Sequence, residues 1–399
     1  MADSRRHAVR GHRWWRPALV GTGALLGLAA AGLGVLTLVV ARTVVTPPRR
    51  KREDATIVAV DLPGRTITLG RTGDAILPGD YGLWFSGDRG YARIGEILET
   101  SADSVTRRLI EVRFGDLAAA TRGRFSGWFY LSPADLGSPF EEVGIETELG
   151  EAPAWLVPSS VPTDRWVIQV HGRAVRRQET LRAIPVFRDA GYTSLIISYR
   201  NDGDAPYSPD RRYGLGDTEW RDVDAALRFA VDHGARDVVL MGWSMGGATA
   251  LQAVTRSARA SVVRGIVLDS PVVDWVTALR YQGELMGLPS PIRSGALEII
   301  GARWGRRLTG QLAPIDLSRL DFVRRASELT VPILLMHSDD DGYIPPTASR
   351  ALAEARPDIV TYEAFTGASH TKLWNYDRDR WNGVISGWLA RLDAPDQVG

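Results

Sequence analysis

Ser244 stands in Gly242-Trp243-Ser244-Met245-Gly246, a G-x-S-x-G pattern. In a chain with 41 glycines such a match is cheap, so its flanks must decide whether it carries chemistry. Val238-Val239-Leu240-Met241 precedes it as an apolar strand, and Gly247 opens a run of small residues that reads as a helix. A serine on a sharp strand-to-helix turn presents its hydroxyl for nucleophilic attack. The hydroxyl needs a base to take its proton, and a carboxylate to hold that base in the right tautomer.

Six histidines are available. His7 and His12 lie near the N-terminus, and His233 before Gly234 reads as a structural residue at a helix end. His171 and His337 each close a strand. His370, in Gly367-Ala368-Ser369-His370, follows the last strand in a loop and fits the chain order serine, acid, histidine. The acid falls in His337-Ser338-Asp339-Asp340-Asp341, at the C-terminal end of a strand where sites of parallel sheets gather. Three adjacent aspartates also suit a solvated turn or a divalent-ion loop, and the run alone does not choose.

With these motifs on the page, residues from about 141 to 399 resemble the α/β-hydrolase superfamily, its prolyl-oligopeptidase-like and small-esterase branches in particular. The resemblance rests on His171-Gly172, on Gly242 to Gly247, on His337 to Pro345 and on the His370 loop. It implies a catalytic triad of Ser244, Asp341 and His370, the family's H-G-x-x-D-x-x-V-P pattern falling on His337 to Pro345. Ser338 replaces the usual glycine and Ile344 the valine. Asp269, ending Gly265 to Asp269, is the alternative acid. The resemblance also implies an oxyanion hole from the backbone N–H groups of Arg173 and Met245. The Arg173 guanidinium would then face solvent, or else an anionic substrate.

The elements that must position these groups are short apolar strands alternating with helical patterns after an initial hairpin near 141–157. That order argues for an α/β fold with a mostly parallel sheet covered on both faces. Residues 273–328 hold helical stretches but no good strand, and read as a cap. Trp374, Trp381 and Trp388 form a stripe of core type. Residues 55–140 alternate in short β patterns broken by turn signals, a small β-rich region with no chemical motif.

Ala18 to Val40 carries no charge over 23 residues, enough to cross a ~30 Å hydrocarbon core. We expect a single-pass transmembrane helix there, with a basic linker at Pro47–Asp54 and a tail before it. Five basic residues on each side leave the positive-inside rule undecided. A short tail before a large domain favours an extracytoplasmic hydrolase.

Composition narrows the rest. A net charge of +1 gives no reason to expect nucleic acid. The chain has no cysteine, which excludes disulfides, a thiolate nucleophile and Cys-based zinc sites. No metal or cofactor is called for. The expected function is a membrane-anchored serine hydrolase cleaving a carboxylic ester, or secondarily a peptide or thioester, of a small-molecule or peptide acyl substrate. An acyltransferase with the same triad, or a catalytically inactive membrane-tethered binding protein, are the alternatives. Composition does not address the oligomeric state.

Overall fold

The structure is a computed structural model and describes residues 31–48 and 50–394. The chain enters on helix α1, residues 31–45. The expected membrane span therefore divides: Ala18 to Ala30 lies outside the described residues, and 31–40 is the first part of α1. Among the described residues no helix is long and apolar enough to cross a membrane. The helix does not stop at Val40, where the expected span ended. It continues one more turn, and Ala41 and Val45 are fully buried in the main core. Apolar side chains on that last turn find a protein surface to cover, which a free tether would not offer.

The expected linker is likewise held. Gly87 N donates to Glu53 Oε1 at 2.6 Å, and Arg122 Nε to the Glu53 carbonyl at 2.8 Å.

Six strands follow: β1 (Ala55–Asp61), β2 (Thr66–Gly70), β3 (Tyr81–Phe85), β4 (Gly90–Thr100), β5 (Ser104–Phe114) and β6 (Arg122–Ser126). They close into a barrel in the order β1-β2-β5-β4-β3-β6. Closure removes the exposed edges that a short six-stranded sheet would otherwise present. Alternate residues such as Ile67, Leu69, Tyr81, Leu83 and Phe85 fill the interior. Arg107 is buried among them, and its guanidinium donates to the carbonyls of Gly95, Ala75, Leu77 and Gly79. Four carbonyls replace the water it has lost.

The larger unit is an eight-stranded sheet. β7 (Glu141–Thr147) and β8 (Gly150–Val157) form the antiparallel hairpin at one edge. Then come β9 (Arg165–Val170), β10 (Thr193–Ile197), β11 (Asp237–Trp243), β12 (Val263–Asp269), β13 (Ile333–Ser338) and β14 (Val360–Phe365), all parallel. The order is β14-β13-β12-β11-β9-β10-β8-β7. The central strands are apolar on both faces because helices cover both. These include α2 (Ile184–Asp189), α3 (Trp220–Asp232) and α4 (Met245–Arg256).

Between β12 and β13 the chain forms α5 (Trp275–Leu285), α6 (Ser290–Gly301) and α7 (Arg306–Thr309), the helical insertion expected of a cap. Three further helices close the fold: α8 (Thr347–Ala355), α9 (Leu373–Tyr376) and α10 (Arg378–Leu392). The tryptophan stripe is split between the last two, and all three rings lie in one core cluster.

Candidate active site

Ser244 sits between β11 and α4 with φ 51° and ψ −117°. This left-handed backbone strains a non-glycine residue and lifts its side chain clear of the turn. Two flanking glycines make the turn possible. A Cβ on Gly242 would lie 2.5 Å from the Gly246 carbonyl oxygen, and one on Gly246 2.2 Å from that of Val170. Ser244 N donates to the Asp269 carbonyl at 3.1 Å, which ties the turn to the neighbouring strand.

His370 Nε2 is 2.9 Å from Ser244 Oγ, and its Nδ1 is 2.6 Å from Asp341 Oδ2. With Nδ1–H donating to the carboxylate, Nε2 is free to accept the serine proton. Asp341 is buried. Burial works against its charge, but the His370 imidazole and hydrogen bonds from His337 and His370 outweigh it. The carboxyl is held well below the usual carboxylate range. Its second oxygen accepts from Tyr343 N at 2.8 Å and Ile344 N at 2.9 Å.

His337 has a part in this site that its sequence position alone left open. Its Nε2 lies 3.1 Å from both Asp341 Oδ2 and the Ile344 carbonyl, two acceptors, so Nε2 carries a proton. Its Nδ1 then accepts from Ser349 Oγ at 2.8 Å. The leading histidine of the acid loop was the available signal.

Asp269, the alternative acid, points elsewhere. Its Oδ2 accepts from Trp381 Nε1 at 2.9 Å and its Oδ1 from Ser270 Oγ at 2.9 Å. Ser270 Oγ in turn accepts from Thr371 N at 3.2 Å, so Asp269 steadies the His370 loop without touching the ring. Asp339 pairs with Arg350, and Asp340 accepts from Gly367 N. The aspartate run is thus three separate anchors. Among the described residues no cluster suits a metal ion.

The expected oxyanion donors flank Ser244. Among the described residues, neither Arg173 N nor Met245 N has a protein acceptor. The loop bearing Arg173 is fixed on both sides. Gly172 N donates to Glu179 Oε2 at 2.6 Å, and Ala174 N to Asp202 Oδ2 at 3.1 Å. Glu179 is buried, and burial pushes its carboxyl pKa up. Sequence reasoning missed Glu179, because nothing in its neighbourhood marks it. His171 is stacked on Tyr199 at 4.1 Å, with burial lowering its pKa to about 4, so it serves as a neutral packing residue.

The Arg173 side chain is half-buried and also ties to α1. It donates to the carbonyls of Thr43 at 2.9 Å and Val44 at 2.8 Å, the last turn of α1, and lies 4.9 Å from the Tyr213 ring. The end of a helix leaves carbonyls unsatisfied and carries partial negative charge, and a guanidinium answers both.

In front of Ser244 lies a cavity of about 670 Å³, within the range of pockets that enclose small organic ligands. Ser244, His370, Gly172, Arg173 and Glu179 line its polar end. The rest is mostly apolar, built chiefly from α5, α6 and α1, with Arg52, Gln282 and Arg293 also among the lining residues.

The barrel braces the histidine loop from behind. Lys372 Nζ pairs with Asp74 at 3.0 Å, and Asn375 Nδ2 donates to the Asp80 carbonyl at 2.7 Å. Buried Arg182 donates to the Thr371 carbonyl at 2.8 Å and Asn375 Oδ1 at 3.2 Å.

Comparison with known proteins gives the following. A model of the alpha/beta hydrolase family matches residues 170–383. A domain of unknown function (DUF8805) matches residues 56–126, the span of the barrel. No curated protein matches the chain by sequence. Among solved structures, an esterase of Pyrococcus furiosus superposes with a TM-score of 0.51 at 18% identity, over 66% of this chain and 94% of its own. The esterase RhEst1 from Rhodococcus sp. ECU1013 gives 0.45 at 17%, over 63% and 99%. At such identities the first likeness speaks for the fold alone.

Proposed function

Because this chain belongs to the alpha/beta hydrolase family, we propose that it is a serine esterase acting through an acyl-enzyme on Ser244, held to a membrane by Ala18–Val40. The observation that carries the catalytic reading is the unbroken hydrogen-bonded line from Ser244 Oγ through His370 to Asp341, at 2.9 Å and 2.6 Å. Attack by Oγ on an ester carbonyl passes its proton to His370 Nε2. Asp341, already ionised, stabilises the imidazolium that forms. The unengaged N–H groups of Met245 and Arg173 receive the oxyanion, a contribution of about 10²–10³ in kcat for each donor. His370 then protonates the leaving alcohol, and water activated by the same ring releases the acid. An apolar cavity beside the serine suits the acyl side of an ester.

The test is hydrolysis of a panel of p-nitrophenyl esters by the full chain in detergent, with a rapid burst of nitrophenol followed by steady turnover. A burst equal to the enzyme concentration supports the acyl-enzyme. A folded protein with no turnover on any ester would overturn the reading.

A further inference from the structure

Two apolar surfaces meet at the mouth of this cavity. One is α1. Ala41 and Val45 are buried whereas residues 31–36 are all exposed, so the helix leaves the protein as it is followed toward its N-terminus. Leu33, Val35 and Val39 are 50%, 63% and 52% exposed. The stretch 31–40 carries no charged or amide side chain. The hydroxyl of Thr37, its one polar side chain, is turned back onto the Leu33 carbonyl at 2.7 Å. Thr43, six residues further on, does the same to Val39 at 2.8 Å. A helical stretch apolar on all sides, as 31–40 is, with its hydroxyl satisfied internally, suits hydrocarbon surroundings and not water. The sequence before it extends this character, since Ala18 to Ala30 has no charge.

The other surface is the cap. Leu285 and Met286, at the end of α5, are 58% and 70% exposed and also line the cavity. Leu308, whose carbonyl accepts from Arg42 Nε at 2.7 Å, brings exposed cap residues against α1 as well. Leu36, Val39 and Val44 of α1 face Leu279, Met286 and Leu297 of the cap across the same space. The wall of the cavity and the surface that asks for hydrocarbon are therefore one helix.

We propose that the cavity takes the acyl chain of a lipid ester directly from the bilayer, with α1 serving both as the emerging membrane segment and as a wall of the acyl site. This rests on the serine-esterase reading above and adds its substrate class. The reaction is then lipid ester hydrolysis. The acyl carbon–oxygen bond breaks, the lipid alcohol leaves with the proton that His370 took from Ser244, and water releases a free fatty acid.

The full chain in phosphatidylcholine vesicles tests this, with 4-methylumbelliferyl oleate and 4-methylumbelliferyl butyrate as probes. Oleate ester placed in the enzyme's own vesicles should turn over at least tenfold faster than the same ester in separate vesicles. Val39→Trp and Met286→Trp, both at exposed positions that tolerate bulk without refolding the core, should each lower the oleate-to-butyrate ratio of kcat/KM at least fivefold. Equal rates in the two vesicle placements, a wild-type preference for butyrate, or variant ratios within twofold of wild type would each overturn the proposal while leaving esterase activity standing. No turnover of either ester would remove both readings together.

Discussion

The guanidinium of Arg173 lies 2.8 Å from the carbonyl oxygen of Val44, joining the loop beside the nucleophile to the last turn of α1. One residue thereby carries a backbone N–H proposed for the oxyanion and gives its side chain to the entering helix. Small displacements of positioned donors are costly in catalysis. Arg173→Ala should therefore lower kcat by roughly 10-fold with a smaller change in KM, a loss below that for deleting a donor outright. Removing residues 1–45 should have at least as large an effect and should expose apolar surface to dye binding. Steady-state kinetics on a short soluble ester check this, and unchanged kcat in both variants would show that the tie is passive.

Asp341→Asn removes the charge that stabilises the imidazolium and reverses one hydrogen-bonding role. A kcat loss of about 10⁴ is expected, with the fold retained at neutral pH. Stability should change too. The native carboxyl is held below its ordinary value, so its contribution is present above pH of about 4 and is lost as pH falls through the native value. Denaturant midpoints between pH 5 and pH 3 should fall more steeply for the wild type than for Asp341→Asn.

Asp202 works in the opposite sense. Burial pushes its carboxyl up to about 7, while Tyr213 and Ala174 N hold it in place. A raised native pKa gives stability that is present below about pH 4 and disappears as pH rises through about 7. The melting temperature should decline between pH 5 and pH 8, and Asp202→Asn should flatten that decline. Identical pH profiles would contradict the assignment.

Asn375 joins barrel and hydrolase behind the histidine loop, accepting from Arg182 and donating to Asp80. Asn375→Ala leaves a buried donor and acceptor short of partners, a cost of about 1–3 kcal/mol. A lower melting temperature is expected, together with a several-fold fall in kcat as the His370 loop loosens. A fall in stability with kcat untouched would reduce the barrel to a packing role.

What could be read in advance follows from the range of the interactions. The serine turn was legible because close backbone approach at Gly242 and Gly246 demands residues without a Cβ. The strands announced themselves because burial on both faces leaves unbroken apolar runs such as Val238 to Met241. Asp341 could be separated from Asp339 and Asp340 only by resemblance, since three neighbours differ by partners distant in sequence. Barrel closure by β1 and β6 was hidden for the same reason. So was the grip of Arg173 on α1, which spans about 130 residues. A charge-free helix reads as an anchor whether or not its last turn also walls a cavity, because hydropathy records burial without naming what buries it.

The most direct test is labelling of the full chain in detergent by a fluorophosphonate probe, with the modified peptide mapped by mass spectrometry, beside Ser244→Ala. Covalent modification at Ser244, absent in the variant and slowed by Asp341→Asn, is the predicted result. A folded wild-type protein that stays unlabelled, or labelling that persists in Ser244→Ala, would contradict Ser244 as the activated nucleophile.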